Sequence, residues 1–335
     1  MDPDGVDRLA GDRVHHGSRD DPEVLDFSAN TNPRTPDGVA GVYGSALAAA
    51  GSYPADDYAD FRAAAGTFVD CDPDRVVVTA GGLAAIRLAV ATTVRSGDRV
   101  LVPAPTFGEY AREVRLQGGE PDFRSPGAVL DTDPEPYALA VLCVPNNPTG
   151  WAPDPARLRA YADRCRAADT PLLVDEAFLG FTGRASLAGH EGVVVARSLT
   201  KLFGLPGLRA GFAVATGREL ARLRAARPPW SLGTPAAAVG TYCLGQSSFV
   251  AATRERVHSE RERLRARLGE RFEVHPSEAP FLLLTVEDVD GVLSEARAAG
   301  LALRDARTFR RLSSHVRVAV RTRADNDRLL AALDV

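Results

Sequence analysis

Residues 138–150 read ALAVLCVPNNPTG. The apolar run is unbroken until Pro-Asn-Asn-Pro. It is too uniformly apolar for a strand with one wet face and too short for a helix. It predicts a strand buried on both sides of a sheet. The pattern recurs outward in both directions. Upstream, RVVVT (75–79) breaks at AGG, and helical spacing follows over 83–95. RVLVP (99–103) precedes a helix over 109–117. Downstream, a helix over 155–168 leads to LLVD (172–175), then to VVVA (193–196) and AGFAVA (210–215). Strands alternating with helices predict an α/β fold with a mostly parallel sheet between helices.

The last third differs. Residues 234–268 have helical spacing, and RERVHSERERLRARLGE (254–270) interleaves Glu with Arg, as a solvated helix laced with ion pairs does. Strands over 272–275, 281–286 and 316–320, with helices over 289–299 and 324–333, predict a smaller α/β domain at the C-terminus. The Asp-, Pro- and Asn-rich start reads as an irregular arm. The expected division is an arm over 1–40, a large domain over 41–226 and a small domain over 227–335.

A chain of 335 residues is long enough for two such domains. Hydrophobic residues make up 45% and charged residues 25%, which excludes a disordered chain. A formal net charge of −4 offers no excess for neutralising phosphates, so no nucleic-acid partner is expected. No apolar run approaches the ~20 residues of a membrane helix, and no basic-then-apolar leader opens the chain. No membrane association is expected, and a cytoplasmic location is. Cys71, Cys143, Cys165 and Cys243 form no C-x-x-C pair, so neither a metal site nor a disulfide framework is expected. Of the 40 basic residues, Lys201 is the single lysine. An ammonium can lose its proton and attack a carbonyl, which a guanidinium cannot do.

G-x-G-x-x-G, a P-loop, G-x-S-x-G and H-E-x-x-H are all absent from the sequence. Polar residues cluster instead just after the strands, where parallel sheets bind ligands. PNNPTG (145–150) follows one strand, DEAF (175–178) ends the next, SLTK (198–201) follows a third, and PGLRAG (206–211) comes soon after.

This ordered set resembles the fold-type I enzymes that use pyridoxal 5′-phosphate, over nearly the whole chain. The resemblance implies the large domain of a pyridoxal-phosphate-dependent transferase, with Lys201 as the amine that condenses with the cofactor aldehyde. It implies Asp175 at the pyridine nitrogen, Asn147 at the ring oxygen and Phe107, in PTFGEY, stacked on the ring. Ser198, Arg209 and the backbone amides of Gly82, Leu83 and Ala84 would hold the phosphate. Two positions depart from the family. Phe178 stands where a tyrosine often bonds the ring oxygen, and Leu83 and Ala84 replace polar side chains.

Tyr53, in SYPADDY, matches the tyrosine that reaches the neighbouring subunit's cofactor phosphate, which implies a homodimer with shared sites. DFSANTNP (26–33), preceded by HGS where the family has HGG, is similar to the threonine-phosphate decarboxylases of cobalamin synthesis. Histidinol-phosphate aminotransferases are close relatives. That likeness implies a phosphorylated amino acid as substrate. Arg317 would hold the carboxylate, and Arg304, Asn32 and His16 would be further contacts. The residue types alone serve decarboxylation and transamination equally.

Overall fold

The computed structural model describes residues 1–16, 21 and 23–335. The strands, in chain order, begin with β1 (Leu25–Asp26), β2 (Val76–Thr79), β3 (Arg99–Pro103), β4 (Glu120–Arg124), β5 (Leu139–Cys143), β6 (Leu172–Asp175), β7 (Val193–Ser198) and β8 (Gly211–Val214). Strands β2 to β8 form one sheet in the order β2-β8-β7-β6-β5-β3-β4. Only β8 runs against its neighbours. The other pairs are parallel.

Alternation across this sheet explains the apolar runs. On β5, Ala140 and Leu142 enter one core, while Leu139, Val141 and Cys143 enter the other. The first core is covered by the helices Ala59–Val69 and Pro155–Ala167, through Phe61, Leu158 and Tyr161. The second is covered by Gly82–Thr93 and Glu109–Leu116, through Ile86, Tyr110 and Val114. With helices on both faces, every position of β2, β5, β6 and β8 is buried and period-2 polarity disappears there.

The later strands are β9 (Glu273–Val274), β10 (Phe281–Thr285), β11 (Leu301–Ala302), β12 (Arg304–Asp305) and β13 (His315–Ala319). A second, antiparallel sheet has the order β12-β13-β10-β9. The helix Ser247–Leu268 carries the expected ion pairs, among them Arg263–Glu260 at 2.7 Å and Arg267–Glu270 at 3.2 Å. No helix of the described residues is long and apolar enough to cross a membrane.

Two points depart from expectation, and the helical reading of 234–268 is borne out in finer detail. The first forty residues are not irregular throughout. A helix, Pro3–Arg8, docks where Asp2 N–H donates to the Leu116 carbonyl at 2.9 Å. β1 pairs in parallel with β11, and Phe27 bonds both Ala302 and Ala319 through its backbone. The N-terminal segment is thereby stitched to the second sheet. The helical stretch over 234–268 is two helices, Thr234–Leu244 and Ser247–Leu268, broken at Gly245-Gln246. Finally, β4 was not expected, because EPDFR at a sheet edge has no apolar run to announce it.

Candidate active site

The chemistry-bearing residues of the large sheet gather at one edge. Asp175 ends β6 and Ser198 ends β7, with Lys201 just beyond. Asn147 follows β5, Phe107 follows β3 and Gly82 follows β2. Arg209 precedes β8, and because β8 is antiparallel its start lies at that same edge. These residues, with Leu83, His16, Arg304 and Arg317, line a cavity of about 600 Å³.

One part of the cavity is built for an anion. The helix Gly82–Thr93 starts after Gly81, whose φ is 88°, and no side chain among the described residues caps it. Its first N–H groups are left to a ligand. A Cβ on Gly81 would sit 2.8 Å from Arg209 Nη2, and one on Gly82 would sit 3.1 Å from Ser198 Cβ. The two glycines therefore let a guanidinium and a hydroxyl close on the helix terminus. Ser198 Oγ is 2.7 Å from Thr200 Oγ1, and Arg209 Nη1 donates to the Pro206 carbonyl at 3.2 Å.

Lys201 is buried beside other cations. Desolvation, then Arg317 and Arg209, bring its ammonium down to about 8. About one-tenth is therefore neutral, nucleophilic amine at pH 7, far more than for an ordinary lysine. Asp175 is buried too. Burial raises its carboxyl, while two donors favour the anion: Tyr110 Oη at 2.6 Å on Oδ2 and the Ala177 N–H at 2.9 Å on Oδ1.

The two asparagines of PNNPTG divide their tasks. Asn146 is spent on the loop, donating to Pro105 O at 3.1 Å and Thr149 Oγ1 at 2.9 Å, and accepting from Thr106 Oγ1 at 3.1 Å. Asn147 lines the cavity. Its Oδ1 accepts from Arg317 Nη1, so its amide nitrogen is left to donate to a ligand.

Arg304 and Arg317 are paired positions across β12 and β13, and both are buried. Arg317 Nη2 donates to Ser28 O at 2.7 Å. Arg304 Nη2 donates to His15 O and to Thr308 Oγ1, the latter at 2.9 Å. Among the described residues, these partners are carbonyls, an amide and a hydroxyl, none fully charged. Arg317 Nε has no partner there. Burial and the Arg304 charge lower the proton affinity of Arg317 against the pull of Asp26, and burial lowers that of Arg304 against Asp305. Both remain cations. Like charges directly opposite on a ladder are unfavourable, so the pair is poised for an anionic ligand.

His16 also reaches the cavity. Its Nε2 lies 3.0 Å from Glu109 Oε1, and its ring centroid is 5.7 Å from that of Phe107. Gly17 and Ser18 lie outside the described residues. Phe178 lines the cavity and meets Phe281 edge-on at 5.1 Å. Tyr53 does not join this group. It is 78% exposed and stacks on Trp230 at 4.4 Å.

Asn32 is placed apart from the others. Its side chain is not at the cavity wall. Nδ2 donates to Leu202 O at 2.8 Å and Thr253 Oγ1 at 3.3 Å. Oδ1 accepts from Arg256 Nη2 at 2.8 Å and Arg34 N at 3.1 Å. Every amide function is used in tying the N-terminal segment to the loop after Lys201. Asn30 lines the cavity instead, and its buried Oδ1 has no partner among the described residues. Asn32→Ala is expected to lower unfolding stability by about 2 kcal/mol, measured by chemical denaturation, with little change in ligand affinity. Unchanged stability with lost ligand binding would contradict this placement.

Comparison with known proteins follows the same lines. The sequence model of the family described as aminotransferase class I and II matches residues 45–333. Histidinol-phosphate aminotransferase 1 of Archaeoglobus fulgidus is 32% identical over 289 residues, spanning 84% of this chain and 89% of that protein. Threonine-phosphate decarboxylase of Salmonella typhimurium is 32% identical over 335 residues, spanning 93% of this chain and 90% of that one. The crystal structure of the histidinol-phosphate aminotransferase from Clostridium acetobutylicum aligns with a TM-score of 0.85 at 21% identity. It spans 93% of this chain and 98% of that chain, a match of fold.

Proposed function

The chain belongs to the aminotransferase class I and II family, and from that premise we propose that it is a pyridoxal 5′-phosphate-dependent lyase of cobalamin synthesis. Its substrate is O-phospho-L-threonine, and its products are CO₂ and (R)-1-amino-2-propanol phosphate. The bond from Cα to the carboxylate breaks, and a proton takes its place on Cα.

The residues fit the cofactor. The glycine-walled cradle of Ser198, Arg209 and the Gly82 and Leu83 amides suits its phosphate. Asp175 suits the ring nitrogen, Asn147 the ring oxygen and Phe107 a ring face. Phe178 supplies no hydroxyl, so Asn147 serves the ring oxygen without that help. When bound, the cofactor supplies a sink for the electrons of the broken bond. Lys201 Nζ would hold the cofactor aldehyde, and as a free amine it would be the group placed to return a proton to Cα.

The observation that carries the substrate class is the facing, buried pair of Arg304 and Arg317. It is distinct from the cradle at Gly82. A phosphorylated amino acid brings a carboxylate and a phosphate, one anion for each guanidinium. Held by them, the carboxylate–Cα bond is the one oriented for cleavage.

The test is turnover of O-phospho-L-threonine without any keto acid, followed by mass spectrometry. Aminopropanol phosphate is expected over many turnovers. Stoichiometric pyridoxamine phosphate with no such product would replace this reading with an aminotransferase of the histidinol-phosphate type, which the same residues serve.

The same reading pairs two copies, so that Tyr53 of one reaches the cofactor phosphate of the other. In support, Tyr53, Trp230, Tyr43 and Leu47 are exposed, and the helix Val39–Leu47 buries none of its residues. Sedimentation equilibrium is expected to give twice the chain mass, and Tyr53→Phe to weaken cofactor retention. A monomer that keeps its cofactor equally well would contradict the shared site.

A further inference from the structure

Tyr110 is wholly buried, and its hydroxyl reaches the cavity wall between the Asp175 carboxylate and the Cys143 thiol. Oη donates to Asp175 Oδ2 at 2.6 Å, while the Ala177 N–H holds Oδ1 at 2.9 Å. The ring of Tyr110 also backs Phe107 edge-on, with centroids 5.6 Å apart. A phenylalanine would fill the same volume and support Phe107 as well. The hydroxyl is therefore the part of this side chain that packing does not explain.

From this geometry, and resting on the cofactor reading above, we infer that Tyr110 is a positioning residue that fixes Asp175 toward the cofactor ring and keeps it a carboxylate. A buried carboxyl left alone takes up a proton. A neutral Asp175 cannot hold a proton on the ring nitrogen, and the electron sink weakens. A short phenol donor opposes that.

The other groups facing Asp175 do not replace it. Glu176, the next residue, is a like charge, and its own carboxylate is taken by Arg197 at 3.0 Å and Ser186 Oγ at 2.6 Å. Lys201 and Arg197 favour the anion through space, but no hydrogen bond joins either to Asp175 among the described residues, and Arg197 is paired with Glu176. Cys143 donates to Pro145 O at 3.3 Å, and burial keeps its thiol protonated. Burial keeps the Tyr110 phenol protonated as well, so it remains a donor.

The experiment loads the full chain with pyridoxal phosphate carrying ¹⁵N in the ring and follows that nitrogen by NMR against pH. In Tyr110→Phe the ring nitrogen is expected to lose its proton about one to two pH units lower than in the wild type. The kcat should fall about tenfold to a hundredfold, with KM little changed. Should Tyr110→Phe not fold, a ring-fluorinated tyrosine at position 110, a stronger donor, is expected to move the same titration upward. An identical titration in wild type and either variant overturns the inference. The NMR readout needs no turnover, so a chain that binds the cofactor but transaminates overturns the lyase reading alone. A chain that takes up no cofactor overturns both.

Discussion

Lys201→Ala is expected to reduce turnover by on the order of 10⁴-fold or more, the largest effect of any single change in this chain. No other lysine exists to substitute for it. Lys201→Arg is expected to be as inactive, because a guanidinium keeps its proton and cannot condense with an aldehyde. Borohydride reduction of the loaded wild-type protein should fix the cofactor to the peptide carrying Lys201, and should fix none in Lys201→Ala. The pH dependence has a definite sign. Burial and the neighbouring arginines bring the ammonium to about 8 from 10.5. The rate of cofactor attachment to the apoprotein should rise with pH up to about 8 and then level. A rate that climbs on as an exposed lysine would, or Lys201→Ala turnover within tenfold of wild type, would contradict the assignment.

The second large effect is at Arg317. Arg317→Leu is expected to raise KM for O-phospho-L-threonine by on the order of 10²-fold, corresponding to about 3 kcal/mol for a buried charge-assisted contact. Arg317→Lys should recover little of this, since an ammonium offers no fork to a carboxylate. The geometry gives the reason for the size. Arg317 is buried, its Nη atoms are held by Asn147 and Ser28, and its Nε has no partner among the described residues. It also lies over the rings of Phe281 and Phe309 at 5.1 and 5.7 Å. The guanidinium is thus oriented before substrate arrives. Steady-state kinetics on both variants checks it, and KM values within a few fold of wild type would contradict it.

The large sheet was legible because its strands are buried on both faces and leave unbroken apolar runs, as β5 and β6 do. Each run ends in residues whose chemistry is visible in a few letters, so the sequence brings Asn147, Asp175, Ser198 and Lys201 to one sheet edge. β4 was hidden because an edge strand with the sequence EPDFR carries no such run. Asn32 and Asn30 sit in one loop without periodicity, and nothing in DFSANTNP says which amide turns inward. The answer lies in partners far along the chain, Leu202, Thr253 and Arg256. Arg304 and Arg317 are two arginines among 39. Only the antiparallel register of β12 and β13 sets them face to face. Tyr110 was inside a motif already noted for Phe107, but its hydroxyl bond to Asp175 joins two distant segments and leaves no sequence signal.

Decarboxylation and transamination differ in which bond at Cα is broken. The most direct measurement supplies O-phospho-L-threonine labelled with ¹³C in the carboxyl group, in D₂O and without keto acid. The expected result is labelled CO₂ released in step with aminopropanol phosphate, one carbon-bound solvent deuteron at the former Cα of that amine, and substrate recovered with its Cα hydrogen intact. Exchange of the Cα hydrogen into solvent with no labelled CO₂ would contradict it.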